Sequence, residues 1–171
     1  MKYLILLLCA TFLNAQEENT QSLSLDILGF SDHSNHYVHY NQTNDGIGAS
    51  YAVQIHPEKD HTEGIFSIGT YKDSMDNRAT YALVGLRTYL LGSPSAFNIA
   101  FSLSGGFYHG SGAKYFAMIP VISVGYDIIS LCATGMYSRD QNSYNEDGSI
   151  NRGHCGTSVI AAFLEFKVLT F

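Results

Sequence analysis

Residues 80–91 read TYALVGLRTYLL, an alternating stretch with a single charge near its middle. In an extended chain, alternate side chains share a face, which groups Arg87 with Tyr81, Leu83, Gly85 and Tyr89. No helical heptad competes with this period of two. Similar segments, separated by polar turns, recur outward from it in both directions, at about 22–31, 46–56, 63–72, 79–91, 96–108, 115–126, 128–138 and 156–170. Eight such segments predict an all-β fold, an eight-stranded antiparallel transmembrane β-barrel, in which every backbone group finds a partner and no sheet edge remains.

Composition agrees with that expectation. Only 14% of the 171 residues are charged and 46% are apolar. A soluble domain usually carries about 25% charged residues, so much of the outer surface is expected to avoid water. The formal charge of −6 is spread along the chain without a basic patch for nucleic acid. The first residues, MKYLILLLCATFLNA, combine a Lys, an apolar run and a small residue at position 15. They read as a secretory signal over 1–15, leaving 16–171 as the barrel domain. Cys132 and Cys155 then remain, and two unreactive thiols are expected.

The connections alternate in length. HPEKDHT, GSPSA and the junction at Asp127 are short, whereas 32–45, YKDSM, YHGSGAK and SRDQNSYNEDGSINRGH form the other set. Outer-membrane barrels keep short turns on the periplasmic side and longer loops outside, so a bacterial outer-membrane location is expected. A charge facing lipid at mid-depth costs about 2–4 kcal/mol for Lys or Arg. Arg87, Glu165 and Lys167 are therefore assigned to the interior, along with Asp26, Gln54 and Asn98. These six form a polar floor at the periplasmic end. Gly69, Tyr71, Leu83, Gly85, Ala161 and Phe163 line a roomier chamber above it, open to the outside and able to accept an acyl chain.

Sidedness brings distant residues together. The first and third strands both run outward, so His33, after the first, and Asp73 and Ser74, after the third, reach the same rim. An imidazole, a hydroxyl and a carboxylate can support acyl transfer, the imidazole taking a proton while the hydroxyl attacks or assists. Turns also recruit Asp and Ser for shape alone. The adjacent Asp73 and Ser74 can serve one site only if the chain has already bent there. Backbone amides of the bent turn would be candidates for holding an oxyanion. The loop HSNHYVH offers His36 and His39 beside His33, in a spacing that fits no standard metal pattern. No metal or organic cofactor is expected.

YKDSM resembles the FKDSW-type segment of the lipid A palmitoyltransferases, eight-stranded outer-membrane barrels that move a palmitoyl chain from a phospholipid to lipid A. IPVISVGYDIIS resembles that family's LPLASVGYGPV-type strand pair, YNQTNDGIGASY its YNERPWGGGFGLS-type second strand, and VIAAFLEFKVLTF its aromatic last strand. These stretches are collinear over most of 40–171. The resemblance implies a catalytic set of His33, Asp73 and Ser74, with His36 and His39 as alternatives to His33. It also implies a phospholipid acyl donor, a lipid A-like acceptor and a monomeric barrel of a Gram-negative outer membrane. Pro120 corresponds to prolines that, in the family, loosen the wall between two strands so that lipid enters sideways. The family's helix before the first strand has no counterpart in QEENT, and the chain has no Trp, so Tyr and Phe would supply the interfacial girdle. A deacylase on a similar barrel and a non-enzymatic adhesive barrel are the rival expectations.

Overall fold

The computed structural model describes residues 21–34, 41–55, 62–110, 113–138, 143–144, 150–151 and 157–171. The expected signal segment, His36, His39 and Cys155 lie outside them. Eight long strands, β1 (Gln21–His33), β2 (Thr43–Gln54), β3 (Thr62–Lys72), β4 (Arg78–Gly92), β5 (Phe97–Gly110), β6 (Ala113–Tyr126), β7 (Ile129–Ser138) and β10 (Thr157–Thr170), form the wall. They close as a barrel in the order β1-β10-β7-β6-β5-β4-β3-β2, each antiparallel to its neighbours. The connection between β7 and β10 carries a small separate hairpin, β8 (Ser143–Tyr144) and β9 (Ile150–Asn151), which the sequence reading did not anticipate.

Turn chemistry closes one end tightly. Asp127 adopts a left-handed φ of 51° in the two-residue link between β6 and β7. Gly92 leaves β4 at φ 75°, where a Cβ would lie 1.8 Å from the Phe97 carbonyl oxygen, so only glycine fits.

The burial pattern is inside out. Val84, Phe107, Phe116, Leu131 and Ile160 point outward and are exposed, whereas Asp26, Glu63, Asn98 and Glu165 point inward and are buried. The expected polar floor is present. Arg87 grips Glu165 through two hydrogen bonds of 2.6 and 3.1 Å, and Glu63, which sequence reading had not assigned, lies 3.6 Å from the same guanidinium. Tyr89 donates to Glu63 at 3.0 Å, Lys167 donates to the Pro94 carbonyl at 2.6 Å, and Asn98 ties down the Ser93 and Ala96 carbonyls. Nearer the middle, Ser50 donates to Asp26 at 2.6 Å and lies 2.8 Å from Ser67. Cys132 is a free thiol buried in the same interior.

The space above the floor is narrower than the sequence predicts. A Cβ on Gly69 or on Gly48 would sit 2.4 Å from the Tyr81 hydroxyl, so these glycines make way for that ring instead of leaving a void. Gly85 likewise permits close approach of Ser104 on β5, whose Oγ would lie 2.4 Å from a Cβ there. Tyr71, Tyr81 and Tyr108 pack together, with the hydroxyls of Tyr71 and Tyr108 3.2 Å apart, and fill the β3–β5 side.

Candidate active site at the barrel mouth

A bulge aims His33. In the first part of β1 the inward residues are even-numbered, Ser24 and Asp26 being buried and Leu25 and Ile27 exposed. Simple alternation would then turn His33 outward. The register against both neighbours slips between Leu28 and Phe30: Gly29 is the extra residue against β10, whereas β2 carries one residue more than β1 over the same step. Gly29 and Phe30 both face out, and beyond them Ser31 and His33 are buried while Asp32 is exposed. One inserted residue thus reverses the phase of the strand end, as bulges do when they re-aim a side chain.

The second component is the turn after β3. Lys72 and Arg78 pair across its base. Asp73 is buried, and its Oδ1 accepts the N–H groups of Met75 at 2.9 Å and Asn77 at 3.0 Å. Its own N–H donates to the Asn77 carbonyl, and the Asp76 N–H returns to the Asp73 carbonyl. The chain therefore leaves the strand at Asp73, which is the bend that Ser74 requires. Of the turn amides expected as oxyanion donors, those of Met75, Asp76 and Asn77 already donate within the turn.

The two components meet. His33 Nε2 and Ser74 Oγ are 2.7 Å apart although 41 residues separate them in sequence. When the hydroxyl donates, the imidazole is the neutral tautomer with its proton on Nδ1. Burial pushes the His33 pKa below its ordinary value, with the Asp32 carboxylate pulling the other way, which favours the neutral ring. Asp73 lies at the same turn, and the hydrogen bonds of its Oδ1 make it the residue that shapes the Ser74 backbone.

Asn41 completes the arrangement and was missed in the sequence. Its N–H donates to the Ser74 carbonyl at 2.8 Å, and its Nδ2 reaches the carbonyls of Thr43 at 2.8 Å and Asp73 at 3.3 Å. Its Oδ1 accepts from the Thr43 N–H at 3.1 Å. Asn44 adds a bond from Nδ2 to the Lys72 carbonyl at 2.9 Å. The return of the first loop is thereby fastened to the Ser74 turn. The available signal was the Asn-x-Thr pattern at 41–43, a local side-chain turn motif.

The wall beside the mouth is incomplete. The ladder between β6 and β7 runs from Tyr126↔Ile129 to Val121↔Thr134 and ends there. Above it, β6 stays paired with β5 through Ala113, and β7 with β10 through Ser138, so the two strands separate from each other only. Pro120 stands where the pairing stops, lacks an N–H to donate, and offers its carbonyl to the Thr134 hydroxyl at 2.6 Å. No family model matches the chain, and no curated protein matches it.

Proposed function

We propose that this chain is an outer-membrane acyltransferase that moves a fatty acyl group from a phospholipid to a lipid A-like acceptor. The observation that carries the reading is the 2.7 Å contact between His33 Nε2 and Ser74 Oγ at the mouth of a barrel whose outer surface is apolar. The long strands have 10 to 15 residues, and about 9–11 suffice to cross a bilayer. The separation of β6 from β7 next to Pro120 would give a phospholipid chain a sideways route through the wall toward the mouth.

In the reaction, His33 removes the proton from an acceptor hydroxyl as that oxygen bonds to the acyl carbonyl carbon. Ser74 Oγ–H turns to the carbonyl oxygen and supports the tetrahedral intermediate, while Asp73 and Asn41 hold the turn. Collapse breaks the bond to the glycerol oxygen, and the imidazolium returns the proton to it. The products are the acylated acceptor and a lysophospholipid.

Mass spectrometry of lipid A from expressing cells tests this. The expected result is a gain of one acyl mass, lost in Ser74→Ala and in His33→Ala. Loss of an acyl mass would make the enzyme a deacylase. Identical lipid profiles in wild type and both variants would favour a non-catalytic barrel.

A further inference from the structure

We propose that the rim of β3–β5 seats a phosphate group of the acceptor lipid's headgroup, with Arg78 and His109 as its centre. The choice of lipid rests on the acyl-transfer reading above, whereas the seat itself rests on separate observations. Lys72 and Arg78 pair across the base of the Ser74 turn, and both are exposed. On the next strands Thr80 pairs with His109, which is exposed, and His109 pairs with position 114, a lysine. The exposed Lys72, Arg78 and His109 thus follow one another across three neighbouring strand ends. Lys72 shares its charge with Asp76 at 3.0 Å, which leaves Arg78 and His109 the principal contacts.

Height and direction identify the occupant. Two residues below His109 and Lys114 along their strands, about 7 Å, the exposed rings of Phe107 and Phe116 pair edge to face with centroids 6.4 Å apart. Exposed aromatic residues mark the boundary between hydrocarbon and headgroups, so the basic row lies at the level of lipid phosphates. The adjoining strands β1 and β2 present exposed Asp32 and Asp45 near the same height. Because Asp76 offsets Lys72 within the turn, an anionic headgroup is drawn to the exposed Arg78 and His109 and away from Asp32 and Asp45. A guanidinium matches a phosphate through paired N–H donors, and placement there brings the acceptor's sugar hydroxyls beside His33.

The test is retention of lipid by the full-length folded protein in mixed micelles, read by native mass spectrometry. The probes are bisphosphorylated lipid A, the same lipid with its phosphates removed, and phosphatidylglycerol. Wild type and Ser74→Ala should retain the bisphosphorylated form over the other two. Arg78→Glu should lower that retention about fivefold and Arg78→Glu/His109→Gln further, given roughly a fivefold effect per basic group at a membrane surface, with Arg78→Lys intermediate. Both positions are exposed, and the heat-modifiable gel shift of a folded barrel verifies each variant. Equal retention of the phosphorylated and stripped forms, equal retention of phosphatidylglycerol, or no effect of Arg78→Glu would each overturn the proposal. Selective retention without any acylated product would sink the transferase reading and leave the seat standing. Acylated product with an unchanged acceptor KM in Arg78→Glu would do the reverse.

Discussion

A buried histidine facing a serine is useful only in its neutral form, and the surroundings of His33 favour that form. Burial is the larger influence and lowers its pKa, while Asp32 raises it. The acid limb of a transfer rate should therefore fall below the ordinary histidine value of about 6.5. Asp32→Asn removes the opposing influence, so the limb should move to still lower pH with the plateau rate retained. A rate profile from pH 4 to 8 measures this, and a shift toward higher pH would contradict the assignment. The folded state carries the depressed pKa, so the contribution of His33 to stability is complete above about 6.5 and is lost as pH falls through the folded value. The meeting of His33 with Ser74 was legible because strand counting places two loop ends on one rim. Asn41 was not, since its role depends on a loop folding back over a turn, and a single polar residue in a loop carries no long-range signal.

At the level of elements, a bulge and a proline depart from regular pairing, and each bears on the mouth. Strand existence was readable from alternation, and observed ends differ from expected ones by about three residues or fewer. The phase reversal at Gly29 was not readable, because a glycine in a strand signals a bulge without saying which neighbour absorbs it. Pro120 was readable as a missing donor, and the ladder does stop beside it. Replacing it gives a prediction with two opposite signs. Pro120→Val restores an N–H and allows the β6–β7 ladder to extend above Val121↔Thr134, which should add about 0.5–1.5 kcal/mol of stability. The same change narrows the sideways route and should slow transfer from phospholipid held in vesicles. Denaturant midpoints and transfer rates on one preparation measure both. A gain in stability with an undiminished rate would mean that lipid does not enter between these strands.

For the whole molecule, the decisive property is which side of the wall is apolar, and the charge pattern disclosed it in advance. Arg87, Glu165 and Lys167 all point inward, whereas the filling of the chamber by Tyr81 was hidden, since glycine at 48 and 69 reads equally well as space or as close approach. The interior network should be costly to break. Arg87→Ala leaves Glu63 and Glu165 facing each other without their cation, and urea unfolding in micelles should show a loss of about 3–5 kcal/mol, part of which Glu165→Gln returns. The exterior can be tested against a control within a single strand. Val84 lies mid-strand on β4 with 66% of its surface exposed, and Thr80 shares its face four residues nearer the rim. If lipid covers this surface, Val84→Arg should cost about 2–4 kcal/mol on unfolding from phospholipid vesicles and Thr80→Arg only about 0–1. In a protein surrounded by water the two substitutions would cost the same and next to nothing, because a guanidinium at either position would remain hydrated. The difference between the two variants therefore reports the position of the bilayer, whatever reaction occurs at the mouth.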